Sequence, residues 1–163
     1  MTAQAHWMDF YLTAAGAAAA LAGLVIVAVS ANLKEILRFP SLPAQAAASI
    51  GALVLILVSS MAGLIPGQGS GMLGWEVVIF SLPAWWLQVR ANRQFTARQP
   101  KRPWGEVLAS VVMGQAQVLP FIIGGLVLLT GNDTGRSWVA AGILTIFAFA
   151  MLNVWVLLVE IRR

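Results

Sequence analysis

Long apolar runs, each ended by a short polar break, occupy most of this chain. They lie at residues 10–32, 44–65, 73–91, 105–130 and 137–159. Each is near the ~20 residues that cross a ~30 Å hydrocarbon layer. In that medium a single segment satisfies its own backbone polar groups only as a helix. The pattern therefore predicts an all-α fold, an integral membrane helical bundle with five transmembrane helices, and residues 1–163 as a single transmembrane domain. The third run is the least apolar, because it carries Glu76 and Pro83. If it were re-entrant, four spans would remain.

The breaks differ in chemistry. Lys34, Glu35 and Arg38 lead into Pro40 and Pro43, and residues 66–71 form an uncharged, glycine-rich turn. Residues 90–104 hold Arg90, Arg93, Arg98, Lys101 and Arg102, and Gly131 to Gly135 make a tight hairpin connection.

Composition sharpens the reading. Of 163 residues, 60% are hydrophobic and 10% charged, against about 25% charged in soluble domains. Too little polar surface exists to coat a globule in water. With five spans and the N-terminus outside, Lys34, Arg38, Arg90, Arg93, Arg98, Lys101, Arg102, Arg162 and Arg163 fall inside, and Arg136 alone falls outside. This bias of nine to one fits the positive-inside rule. The best four-span alternative gives seven to three. The expected location is a bacterial inner membrane, crossed several times, with the C-terminus in the cytoplasm. Trp7, Trp75 and Trp138 then mark the outer interface, and Trp104 and Trp155 the inner one. The net charge of +4 follows from cations at the ends of apolar runs, which points to membrane lipids and away from nucleic acid.

Several chemistries are unsupported. There is no cysteine, and His6 is the only histidine, so thiolate and multi-histidine metal sites are not expected. Ser59 and Ser60 have no acid–base partner on their run. The turn through Gly67, Gly69 and Gly71 lacks the lysine of a phosphate loop. No Lys or Arg precedes the first run and Asp9 lies where a signal peptide is positive, so that run reads as a retained helix. The chain shows no internal repeat. No catalytic residue, cofactor or metal is expected, and the chain is read as not an enzyme.

The candidate functional residues are few. Gly16 and Ala20, and Ala19 and Gly23, are four apart, a spacing that lets helix backbones approach closely. They serve an oligomer contact, a pore-lining helix or packing within the monomer. A polar path is suggested by Glu76 at the outer mouth of the third run, by Gln115 and Gln117 near the bilayer midplane, and by Asn153 about 9 Å from the inner end. Pro120 frees the carbonyl of Ala116 beside the two glutamines. An intramembrane acid is a functional candidate by default, but these amides serve equally as bonds between helices, with Asn153 facing Gln115 or Asn32. Arg90, Arg93, Arg98, Lys101 and Arg102 are expected to contact anionic lipid.

The stretch from Ala14 to Ala17 and on through Val29 to Leu33, with Leu64 to Gln68 later, resembles small multi-span bacterial inner-membrane proteins of largely uncharacterised function. The resemblance covers mainly the first two runs. It implies a bacterial multi-span protein and carries no activity or site residue with it. The residues themselves point to a homo-oligomeric channel or transport protein for ions or small polar solutes. The alternative is a structural or regulatory membrane subunit with a membrane-protein partner. An enzyme acting on lipids ranks behind both.

Overall fold

A computed structural model describes residues 3–38, 42–97 and 104–155. They form α1 (Ala3–Ala31), α2 (Leu33–Arg38), α3 (Leu42–Gly63), α4 (Ser70–Ala97), α5 (Trp104–Leu129) and α6 (Gly135–Trp155), with no strand among them. Five stretches are long and apolar enough to cross a membrane: His6–Ala31, Leu42–Gly63, Ser70–Gln94, Val107–Leu129 and Gly135–Leu152. That fits a multi-pass membrane protein with an all-helical fold.

Two features depart from the sequence reading. The third run, the least apolar, is an unbroken helix of 28 residues, starting before and ending after the apolar stretch. The first polar break is not irregular. Asn32 interrupts the pattern, and Leu33–Arg38 forms a further short helix with Ile36 buried.

The turns explain where the helices stop. Gly131, at φ 80°, ends α5, and its N–H donates to the Leu128 carbonyl at 2.9 Å. A left-handed residue here favours glycine, which has no Cβ. Asn132 then accepts a hydrogen bond from the Thr134 N–H at 3.0 Å, an Asx turn that launches α6. Gly67, at φ 74°, reverses the chain between α3 and α4.

Neighbours in sequence are neighbours in space: α1 packs on α3, α3 on α4, α4 on α5 and α5 on α6, while α6 only grazes α1 and α3. On α1, Tyr11, Ala14, Ala18, Val25 and Ala28 form a buried stripe at spacings that share one helix face. Helices α4 and α5 meet closely at Gly74. A Cβ there would lie 2.8 Å from both the Gly125 carbonyl oxygen and the Leu129 nitrogen. Small residues at such crossings let two backbones touch, which gives dispersion and weak C–H···O contacts in place of a hydrophobic driving force.

Both helices of this pair carry an internal proline, Pro83 in α4 and Pro120 in α5. Each leaves one carbonyl without its helix donor, that of Ile79 and that of Ala116.

The two ends of the bundle differ. At one end Trp7, the turn from Gly63 to Gln68, and Arg136 come together. At the other lie Pro43, Ala44, Arg90 and Gln94, and Arg93, Thr96 and Val107. We call the second the basic end.

Candidate functional site

Two cavities with polar side chains in their walls flank the packed middle of the bundle. The larger, of about 550 Å³, is a cleft between α4 and α5 at the basic end, lined by Val89, Asn92, Arg93, Thr96, Val107, Val111 and Gln115. Its depth follows from helix geometry. Val107 to Gln115 spans about 12 Å at 1.5 Å per residue, so the cleft reaches from the basic end to the middle of α5.

Beside the cleft, at the α4–α5 seam, lies Gly114, which is buried. A Cβ at that position would stand 2.7 Å from Gln88 Nε2 and 2.8 Å from Asn92 Nδ2. The missing side chain is what admits two carboxamides to the α4–α5 seam. Asn92 Nδ2 is buried and has no hydrogen-bond partner among the described residues. A buried amide N–H in that state costs about 1–3 kcal/mol, and a rotation of the Asn92 side chain, which lines the cleft, would bring that donor to a polar guest. At the upper limit, the Trp85 indole N–H donates to Gln115 Oε1 at 2.9 Å.

The smaller cavity, of about 240 Å³, lies at the opposite end among Trp7, Met8, Gly63, Leu64, Gln68, Leu73 and Arg136. Gln68 Nε2 donates to Glu76 Oε2 at 2.5 Å, which leaves Gln68 Oε1 buried without a donor. Tyr11 lies behind the cavity wall. Its ring stacks on Trp7 at 6.0 Å between centroids, and its hydroxyl is also buried, without a partner among the described residues. The Arg136 side chain is 14% exposed and lies 3.4 Å from Asp133 Oδ1. Between the cavities, Val77, Val118, Phe121 and Leu128 are fully buried and part of one core.

The expected polar residues are thus divided. Glu76 stands near the small cavity, held by Gln68, and Gln115 lines the large one. Gln117 turns away into the bundle, 8% exposed, and donates to the Met113 carbonyl of its own helix at 3.4 Å. Among its contacts, Asn32 bonds back to the end of α1, to the Ala28 carbonyl at 3.0 Å. The side chain of Asn153 lies outside the described residues, as do Arg98, Lys101 and Arg102. Gly16, Ala19, Ala20 and Gly23 are all exposed, and a Cβ on Gly16 or Gly23 would meet nothing within 4 Å. Packing among the described residues does not use them.

The sequence reading overlooked Gln88, Asn92 and Thr96, which lie on one face of α4 at intervals of four. It had ended that helix at residue 91. The i, i+4, i+8 spacing was the available signal. It also passed over Gln68 and Tyr11, which reach their partners only through the fold.

No protein-family profile matches the chain, and searches of curated proteins and of solved structures find no significant match. Among the described residues no cluster of three His, Cys, Asp or Glu side chains is placed to hold a metal ion.

Proposed function

We propose that this chain is a non-enzymatic, multi-pass membrane protein that passes ions or small polar solutes, using the α4–α5 seam as its route and a second copy to complete the path. It lies in a bacterial inner membrane with its N-terminus outside and the basic end in the cytoplasm. The observation that carries the reading is a cleft lined by Asn92 and Thr96 that reaches Gln115 at mid-helix, with the buried, unpartnered amide N–H of Asn92 beside it. Polar side chains that line a cavity between membrane helices mark solute pathways, and Gln115 lies well inside the span Val107–Leu129. A single copy has no through-going passage in this reading, because the apolar layer at Val77, Val118 and Phe121 divides the two cavities.

Purified protein in liposomes tests it directly. Chloride, acetate and glycerol flux is measured for the native chain and for Asn92→Leu with Gln115→Leu. The expected result is flux of at least one probe, lowered about tenfold by the pair of substitutions, a change of ~1.4 kcal/mol in barrier. Unchanged flux in the variant removes the cleft from the mechanism.

One observation favours a second reading, a non-transporting subunit of a larger assembly. The small-residue face of α1 is open along Gly16, Ala19, Ala20 and Gly23, and such faces pack against other membrane helices. Fixed copurification with a different membrane protein, together with no flux, would select this reading.

A further inference from the structure

The face of α4 that turns away from the cleft carries a second, independent arrangement. Along the α3–α4 seam runs an apolar groove of about 430 Å³, lined by Ile50, Val54, Val58, Phe80, Pro83 and Leu87 among others. It continues toward the basic end into a pocket of about 390 Å³ that holds Pro43, Arg90 and Gln94. Ala47 and Leu87 line both, so the apolar groove adjoins a more polar pocket at its basic end.

The dimensions and the charge identify what fits. On α3 the apolar part runs from Ala47 to Val58, about 16 Å at 1.5 Å per residue. One leaflet of a ~30 Å hydrocarbon core is ~15 Å deep. At the mouth, the Arg90 guanidinium lies 5.3 Å from the centroid of the Trp86 ring. Among the described residues no carboxylate lies within ion-pair distance of it. A cation stacked on an indole is held at a fixed height, and Trp itself favours the interface between headgroup and acyl chain. An arginine fork there offers paired donors to a phosphate. The groove walls include exposed Val54 and Phe80, which in a bilayer face acyl chains and not water.

We infer that the α3–α4 groove binds one anionic phospholipid of the leaflet at the basic end, with an acyl chain against Val54, Phe80 and Leu87 and its phosphate on Arg90. This is a site with shape and register, distinct from the diffuse attraction of a basic loop to an anionic surface. It does not depend on solute passage through the α4–α5 cleft.

The test is lipid retention by native mass spectrometry of the full chain. The protein is released from nanodiscs holding equal parts phosphatidylglycerol and phosphatidylcholine. The native chain is expected to keep one phosphatidylglycerol at collision energies that strip phosphatidylcholine. Arg90→Gln is expected to lower that retention about fivefold, and Val54→Trp, which fills the groove from its exposed side, to abolish it. Lys34→Gln, which removes a charge at the same end but outside the groove, is expected to leave retention intact. Equal retention of the two lipids, unaltered retention in Val54→Trp, or an equal loss in Lys34→Gln would each overturn the site. Helicity by circular dichroism confirms that each variant is folded when it is compared.

Discussion

The indole N–H of Trp85 and the amide oxygen of Gln115 meet at 2.9 Å across α4 and α5. The bond joins the two helices that enclose the large cleft and sits where that cleft ends. Trp85→Phe keeps an aromatic ring and deletes only the donor. Hydrogen bonds of this kind between membrane helices are worth about 0.6–2 kcal/mol. Unfolding in mixed micelles is expected to register a loss in that range for Trp85→Phe and a comparable one for Gln115→Leu. The double variant should lose less than the sum of the two.

Two glycines on the α4–α5 seam are expected to respond oppositely to alanine. At Gly114 the added methyl meets the ends of the Gln88 and Asn92 side chains, which can swing aside. Stability should change by less than about 1 kcal/mol, while the two carboxamides are displaced from the seam. At Gly74 the methyl meets backbone atoms of Gly125 and Leu129, which cannot yield without parting the helices. Gly74→Ala should cost about 1–3 kcal/mol or more. Chemical denaturation of both variants in one detergent checks the contrast.

Gln68 and Glu76 form a charge-assisted pair at the small cavity when the acid is ionised. Hydrogen bonds to charged groups contribute about 1.5–3 kcal/mol. A double-mutant cycle with Gln68→Leu and Glu76→Gln is expected to give a coupling toward the lower end of that range, since the site is only partly buried. A coupling of zero would mean that the pair does not hold the turn to α4.

The open face of α1 makes a separate prediction. Gly16→Ile and Gly23→Ile point into empty space in the monomer. Helicity and monomer stability should stay within about 0.5 kcal/mol of the native chain. Cross-linking between copies, if it runs through this face, should be lost. Retained cross-linking would move the contact elsewhere.

Orientation is open to labelling because the chain has no cysteine of its own. A membrane-impermeant thiol reagent applied to intact cells is expected to modify Gly69→Cys and to spare Thr96→Cys. The reverse pattern would invert the assignment of both cavities to their compartments.

Much of the architecture was legible because a bilayer imposes one rule on every span. A run of about 20 apolar residues has few alternatives to a helix. The same rule hid the ends of α4. Its last turns carry Gln88, Asn92, Arg93 and Thr96, so apolarity fades while the helix continues to Ala97. It also hid which face of α1 is inside. In water an apolar stripe marks the core. Here Ala18 is buried and Ala19 exposed, and nothing in their chemistry distinguishes them. Gln115 and Gln117 show the complementary case. The pattern placed both at mid-depth, but two residues apart on a helix they point to nearly opposite sides, and only the packing assigns one to the cleft and the other to the interior. Gln68 with Glu76 was beyond reach for a different reason, since that contact depends on how the turn at Gly67 folds back.

Pro83 and Pro120 lend the α4–α5 pair one further property. Every cleft residue on α4 comes after Pro83, and every one on α5 comes before Pro120. Because the helices run antiparallel, both prolines lie on the same side of the cleft. The backbone ladder is thus weakened in both walls just past its closed end, leaving the segments that form the walls regular below it. Any widening of the cleft would pivot at that level, with the two half-helices swinging as stiff levers while the glycine crossing at Gly74 stays clamped.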